Sequence, residues 1–273
     1  MRMVPLPTDL PLGSLDLHAD LARYYDLDMQ DVADDIEMYQ GLAQESGGPV
    51  LELAAGSGRV AIPLALAGHR IVALDNDDAM LERARIAWRH ARDRHGAPDE
   101  RLRFVDADLT SFRSDERFGL VILAQNVLLL MPDEAARLAA LRTMSIHLRP
   151  GGLAVVDVSL PDADEMASWD GRLQLEWLRR DPESGDQVAK LISARLEPDA
   201  SSVTLTQLFD ATPPGGGAVR RSARVDTLNV IDRSELRSLA KRAGLGDVSV
   251  RVDLLVTPGG ARSHRAILLG RLV

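Results

Sequence analysis

The chain has 273 residues with 45% hydrophobic content, which is enough to bury one large α/β core with one appended unit. Its net charge of −9 argues against a nucleic-acid partner, because such a partner requires a basic footprint. The absence of cysteine excludes disulfide bonds and thiolate zinc sites, and the absence of long apolar runs predicts a cytoplasmic protein without a membrane partner.

Helices and strands alternate after a proline-rich start. Residues 1–13 contain three prolines and are predicted to be irregular. Two helices follow at about 16–25 and 31–44, and residues 1–48 are predicted to form an N-terminal helical cover. Further helices, each preceded by a short apolar strand, are predicted at 58–67, 77–95 and 132–148. This alternation over residues 49–159 is typical of a doubly wound parallel sheet.

The pattern changes after Ser159. Period-two stretches separated by Gly- and Pro-containing turns predict an antiparallel β insert at 160–230. Its four predicted strands lie at 173–180, 188–196, 203–209 and 219–231. A helix at 232–243 and strands at 248–252 and 265–272 then complete the core as a C-terminal unit, 231–273. No internal repeat is present.

A glycine turn follows the first core strand and an acid ends the second. Residues 50–58 read Val-Leu-Glu-Leu-Ala-Ala-Gly-Ser-Gly, and Asp75 ends the next apolar run. Such a turn brings backbone close to a ligand, and an acid at the next strand tip is placed to accept both ribose hydroxyls. An adenosine cofactor is therefore expected.

Two kinds of adenosine cofactor fit this pattern. Residues 56–61 satisfy the G-x-G-x-x-A pattern of dinucleotide-binding proteins. However, Glu52 would lie close to a pyrophosphate and repel it. A positively charged, phosphate-free cofactor such as S-adenosylmethionine (SAM) suits this acidic turn better.

The ordered motifs of the chain resemble those of class I SAM-dependent methyltransferases. The acid and glycine turn of that family match Glu52 to Gly58, with Ala54 where the first glycine usually stands. Residues 118–126 resemble the fourth motif, although Gly119 replaces the usual Asp, and 148–153 match the turn before the fifth strand. The resemblance implies a seven-stranded Rossmann-like sheet carrying the antiparallel insert.

The resemblance also implies a set of cofactor contacts. Glu52 would face the amino end of the methionine moiety, Asp75 the ribose and Asp108 the adenine amino group. Asp106 is the alternative register for Asp108, and an Asx turn is the alternative role. Met80 and Leu109 would flank the adenine. The complete predicted set is Tyr25, Glu52, Ala54, Gly56, Gly58, Asp75, Asn76, Met80, Asp108, Leu109 and Gln125.

The N-terminal helices cover the cofactor in similar enzymes. Tyr25-Asp26 resembles the "YD" of that cover, and residues 35–39 resemble its "DxeFY" segment. Gln125 ends the fourth strand, where the reacting centre lies, but it can equally be a satisfied polar loop residue. His69, His90, His95 and His147 are expected at the surface or as caps, and His18 is the exception because it lies in the N-terminal cover. No acid/base constellation is recognisable among the six histidines.

The resulting functional prediction is methyl transfer from SAM to a nitrogen or oxygen of a small-molecule acceptor, without a metal. The nearest resemblance is to methyltransferases of amino sugars and glycine-like amines. The alternatives are a SAM-binding regulatory or partner protein without turnover and an NAD(P)-dependent oxidoreductase. The insert is predicted either to bind an anionic acceptor group, to be a solvated face, or to form a homodimer interface. The first role would use its basic residues, which are Arg172, Arg179, Arg180, Lys190, Arg195, Arg220, Arg221 and Arg224.

Overall fold

Seven strands form the central sheet. The computed structural model describes residues 17–32, 35–256 and 262–272, so the predicted irregular segment 1–13 lies outside the described residues. The strands are β1 (Val50–Leu53), β2 (Ile71–Asp75), β3 (Leu102–Asp106), β4 (Phe118–Leu123), β5 (Leu148–Ser159), β10 (Leu245–Val256) and β11 (Arg262–Leu272). Their order is β10-β11-β5-β4-β1-β2-β3, and every pair is parallel except those that involve β11. This arrangement confirms the predicted doubly wound sheet.

Helices cover both faces of this sheet. They are α1 (Leu17–Met29), α2 (Ile36–Ser46), α3 (Ala61–Leu66), α4 (Asp78–His95), α5 (Val127–Leu130), α6 (Glu134–His147), α7 (Ala163–Ser168) and α8 (Arg233–Arg242), with a 3-10 turn at Asp99–Arg101. Strands β1, β2 and β4 are buried at every position, as parallel strands covered on both faces should be. Among the described helices, none is both long enough and apolar enough to cross a membrane.

Local capping chemistry sets several helix boundaries. Asp77 accepts hydrogen bonds from Ala79 N and Met80 N at the start of α4, and the left-handed Gly96 ends that helix. The prediction that Pro132 lies in the first turn of α6 is wrong. Asp133 accepts from Ala136 N instead, so the helix begins at Glu134.

The insert forms a second sheet. Its strands β6 (Gln174–Arg180), β7 (Gln187–Leu196), β8 (Ser202–Thr212) and β9 (Arg220–Asn229) are antiparallel neighbours in chain order, as the period-two pattern predicts. We call the face that carries Val188 and Phe209 the inner face, because both pack with Tyr24 of α1. The opposite, outer face exposes Leu178 and Val225 to solvent.

The glycine that replaces the usual Asp of the fourth motif has a packing cause. A Cβ on Gly119 would lie 1.7 Å from the Gly47 carbonyl oxygen, so no side chain fits there. Gly119 also lies at the amino end of β4, at the edge of the sheet opposite the glycine turn. This departure from the family pattern therefore says nothing against turnover.

His147 is buried and bonds to the last turn of its own helix, which agrees with the predicted capping alternative and not with the surface one. Only 1% of it is exposed, and its ring stacks on Phe112 with centroids 5.0 Å apart. Its Nε2 accepts from Ser114 N at 3.0 Å and its Nδ1 lies 2.7 Å from Thr143 O. Burial lowers the pKa of this imidazole, which is consistent with a neutral ring that carries its proton on Nδ1.

Candidate functional site

The turn after β1 is built from left-handed backbone. Ala54, Gly56 and Gly58 have φ values of 54°, 55° and 86°. A left-handed alanine costs about 1–2 kcal/mol, so Ala54 keeps the conformation of the glycine that it replaces at some expense in stability. A Cβ on Gly56 would lie 3.9 Å from Cε1 of Tyr25, so this tyrosine stands directly beside the turn. Such strain is typical of functional sites.

Glu52 is a buried carboxyl group with an unmet hydrogen-bonding capacity. Only 3% of the residue is exposed, and its Oε2 has no partner among the described residues. Burial, with a further contribution from Asp75, raises the pKa of Glu52 to about 8 despite the nearby Arg59. A buried carboxylate without a partner is costly, so this position favours a cationic ligand group.

Asp75 braces the glycine turn. Its Oδ2 accepts from Gly56 N at 2.7 Å and its Oδ1 accepts from Asp77 N at 3.0 Å. A carboxylate offers about four lone-pair sites, so these two bonds leave capacity for ribose hydroxyls. Asn76 is exposed beside it. The bracing bonds were not predicted, although the position at the strand tip was.

The residues predicted to contact adenine are more exposed to solvent than Glu52. Asp108 is exposed, and its Oδ1 accepts from both the backbone N and the hydroxyl of Thr110. These bonds lower the pKa of Asp108 and form the Asx turn that was the alternative role. Leu109 packs within the core and Met80 is partly exposed in the first turn of α4. Their contacts with adenine remain predictions.

Two buried ion pairs lie beside the glycine turn. Arg59 donates to both carboxylate oxygens of Asp35 at 2.7 and 2.6 Å. Arg265 of β11 binds both oxygens of Asp157 at 3.0 and 2.7 Å and lies 3.5 Å from Asp35. Burial alone would raise the pKa of Asp35, but Arg59 and then Arg265 lower it. The two pairs thus form one charged network.

The network reaches the N-terminal cover and the end of β4. The Tyr39 hydroxyl donates to Asp157 at 3.2 Å. Burial raises the pKa of Tyr25, and the positive charge of Arg59 opposes that rise. Gln125 Nε2 donates to Asp35 at 3.4 Å. The sequence hinted at this only through the resemblance of residues 35–39, because the arginine partners lie far along the chain.

The loop after β4 has left-handed backbone, and its polar side chains are hydrogen-bonded within the protein. Gln125 and Asn126 have φ values of 56° and 61°. Asn126 Oδ1 accepts from Ser159 N at 2.6 Å, which ties the end of β4 to the end of β5. Because Gln125 also has a protein partner, its structural role is supported, and a cofactor contact remains a prediction.

A histidine with two carboxylates lies just beyond β5. His264 Nδ1 lies 3.4 Å from Glu165 Oε2, and its Nε2 lies 3.7 Å from Asp162 Oδ2. The sequence did not reveal this cluster, because the two carboxylates lie about a hundred residues from His264 in the chain. One ligand atom from each residue lies within 4.8 Å of the others, a spacing that could hold a divalent cation. Metal-free turnover remains a prediction.

The basic residues of the insert are mostly compensated within the protein. Seven of the eight named above lie within 4.0 Å of a carboxylate. Arg221, for example, binds both oxygens of its cross-strand neighbour Asp210 at 2.6 Å. Their positive charge is not free to attract an anion, which supports the architectural alternatives for these residues.

Comparisons with known proteins place the chain among methyltransferases. A family model described as a methyltransferase domain matches residues 50–152. The cypemycin N-terminal methyltransferase of Streptomyces sp is 26% identical over 226 residues, 82% of each chain. The sugar N-methyltransferase KedS8 from Streptoalloteichus sp ATCC 53650 superposes with a TM-score of 0.70 at 18% identity, covering 100% of this chain and 99% of its own. SAM-bound CalS10, an amino pentose methyltransferase from Micromonospora echinaspora, gives 0.60 at 20% identity, covering 99% and 100%.

The strand order, together with the glycine turn and the acids at the strand tips, is that of a class I methyltransferase fold. Together with the domain match, these features identify the chain as a SAM-dependent methyltransferase whose cofactor is SAM.

Proposed function

We propose that this enzyme methylates an amine nitrogen of a small-molecule acceptor. Two of the proteins that it resembles are named as N-methyltransferases, of a sugar and of a glycopeptide, and a third is named as the cypemycin N-terminal methyltransferase. The observation in this chain that carries the proposal is the acidic character of the site. Glu52 has a buried oxygen without a partner among the described residues, so the site favours cationic ligands over anionic ones.

The residues present fit SAM as a cofactor. The Glu52 oxygen that has no partner among the described residues suits the ammonium of the methionine moiety, and Asp75 retains lone pairs for the ribose hydroxyls. Gly56 and Gly58 carry no side chain where the backbone must approach the ligand. Tyr25 would close the side of the site opposite the sheet. When bound there, SAM supplies a methyl group on a sulfonium, which is already an activated leaving group.

The acceptor is proposed to lie between the ends of β4 and β5 and the inner face of the insert. Alternate residues of a strand share a face, so Gln207 lies on the same face as Phe209. Arg224 and Asp226 share that face on β9, where Arg224 Nε donates to Asp226 at 2.7 Å. One end of this face packs on α1, and the other end, at Leu228, packs on the main core. The polar middle therefore spans the space between them.

The main contribution of the protein to the reaction is to position the acceptor amine and the methyl group of SAM. In the proposed reaction, a neutral amine attacks the methyl carbon in line, the N–C bond forms as the S–C bond breaks, and the new ammonium then loses a proton to water. Holding the reacting atoms about 3 Å apart and aligned supplies most of the acceleration in such a transfer. An amine can lose its first proton before it binds, so no general base is required at the site.

The proposal is tested with SAM that carries a deuterated methyl group. The enzyme is incubated with a panel of amino sugars and with matched analogues in which a hydroxyl replaces the amine. Mass spectrometry should place the label on nitrogen in the amino sugars and leave the hydroxyl analogues unlabelled. Labelling of oxygen in both sets would contradict the proposal. Absence of turnover with every acceptor, despite SAM binding, would favour the alternative of a regulatory SAM-binding protein.

A second candidate acceptor is the terminal amine of a peptide. The cypemycin N-terminal methyltransferase is the relative that suggests it, since the match extends over 82% of both chains. Short peptides with free and acetylated amino termini belong in the same panel. Labelling of the free peptides alone would replace the small-molecule proposal with this one.

A further inference from the structure

Helix α1 lies between the insert and the glycine turn. Tyr24 stacks on Phe209 of the insert with ring centroids 5.1 Å apart. Tyr25, the next residue, stands beside Gly56. Successive residues of a helix point about 100° apart, so α1 presents one side to the insert and another to the cofactor site.

A charged joint fixes the last turn of α1 to the insert. Asp28 Oδ2 accepts from Lys190 Nζ at 2.6 Å, and its Oδ1 accepts from Trp177 Nε1 at 2.7 Å. Only 4% of Lys190 is exposed. Arg179 donates to the carbonyl oxygens of Leu27 and Asp28, which satisfies backbone acceptors that a helix end leaves unpaired. The insert therefore binds the last turn of α1 through the Asp28 side chain and through the backbone carbonyl groups of that turn.

A second contact ties the same helix to the nucleoside side of the sheet. Arg83 of α4 donates to Asp26 of α1 at 2.6 Å and to Glu183, in the turn between β6 and β7, at 2.6 Å. Arg83 and Glu183 are more exposed than the Asp28–Lys190 pair, so solvent screens this contact more strongly. The buried pair is the stronger of the two restraints on α1.

We propose that Asp28 and Lys190 are positioning residues through which the insert holds α1 over the cofactor, so that the insert sets how long SAM and S-adenosylhomocysteine (SAH) remain bound. The inference rests on the proposed role of Tyr25 as a wall of the cofactor site. It gives the insert a function toward the cofactor, in addition to any function toward the acceptor. Cofactor exchange then requires α1 to move, and the buried pair opposes that movement.

The test compares Lys190→Met with Arg221→Met. Both variants remove one cation from the same sheet, but Arg221 pairs with Asp210 on the outer face, away from α1. Trp177→Phe is a milder variant, because it removes the donor to Asp28 but keeps an aromatic ring and leaves Lys190 in place. Dissociation of labelled SAH is measured by chase with unlabelled SAH, and hydrogen exchange of residues 20–29 is measured in the cofactor-free protein.

The proposal predicts that Lys190→Met dissociates SAH roughly tenfold faster or more, as loss of a buried charge partner acts mainly on the off-rate. Trp177→Phe should show a smaller change in the same direction, and Arg221→Met none. Exchange in α1 should accelerate only in the first two variants. Faster α1 exchange with unchanged SAH dissociation would overturn the proposal, as would unchanged exchange. If the wild-type protein binds no SAH, the proposed function is wrong. Hydrogen exchange in the cofactor-free protein then still tests whether Asp28 and Lys190 restrain α1.

Discussion

Substitution of Glu52 by Gln should remove the pH dependence of SAM binding. The Glu52 carboxyl has a pKa raised to about 8 by burial, and one of its oxygens has no partner among the described residues. A cationic ammonium binds the ionised form, so cofactor binding must be accompanied by loss of the proton. Because the pKa of Glu52 is raised to about 8, the ionised fraction of this carboxyl group falls as the pH falls below about 8.

The size of the effect follows from this pKa. Each unit of pH below it costs the wild-type protein about tenfold in affinity, so binding at pH 6 should be up to about 100-fold weaker than the plateau above pH 8. On that plateau, Glu52→Gln loses a charge-assisted hydrogen bond of about 1.5–3 kcal/mol, or roughly 10- to 150-fold in affinity. The two proteins should therefore converge at low pH and differ at high pH.

Calorimetric titration with SAH over about pH 6 to 9 measures both proteins and also reports the protons released. Glu116→Gln is the matched control, because Glu116 pairs with Arg70 and Arg103 just before the amino end of β4. That variant should follow the wild-type curve. A constant ratio of affinities between wild type and Glu52→Gln at every pH would refute the assignment of Glu52 as the titrating ligand of the cofactor.

Three further outcomes are expected. Asp75→Ala should weaken the binding of SAM and SAH by about 2–3 kcal/mol, roughly 30- to 150-fold in affinity. An unchanged affinity in calorimetry would show that Asp75 does not bind the ribose. If the apolar outer face of the insert forms a homodimer, Leu178→Asp should halve the mass measured by light scattering; a wild-type chain that stays monomeric at all concentrations would exclude that interface. Burial lowers the pKa of His147 in the folded state, so its contribution to stability is present above about pH 6.5 and is lost as the pH falls; His147→Gln should flatten the decline of the unfolding midpoint between about pH 7 and 5, and an unchanged slope would contradict this.

The parts of the fold that the sequence predicted depend on local chemistry. The glycine turn at 54–58 and the acid at Asp75 follow directly from short apolar strands, and the structure places them at one edge of the sheet. The four strands of the insert follow from residue alternation and the turns between them. Each of these features depends only on residues that are close together in the chain, so it can be predicted from one sequence.

The parts that were missed depend on partners distant in the chain. Arg265 and Asp157 are 108 residues apart, and His264 and Glu165 are 99 residues apart. Nothing in the spacing of a charged residue tells which opposite charge will meet it once the sheet has formed. The burial of His147 was missed for the same reason, since the cover that Phe112 provides depends on packing between α6 and the loop before β4.

The central claim is that the edge formed by Glu52, the glycine turn and Asp75 holds SAM. The most direct measurement is a pair of calorimetric titrations of the purified protein at about pH 9, where Glu52 is ionised, one with SAH and one with NADH. We expect saturable binding of one SAH per chain and no heat of binding for NADH. Binding of NADH without binding of SAH would contradict this expectation and restore the dinucleotide interpretation of the glycine turn.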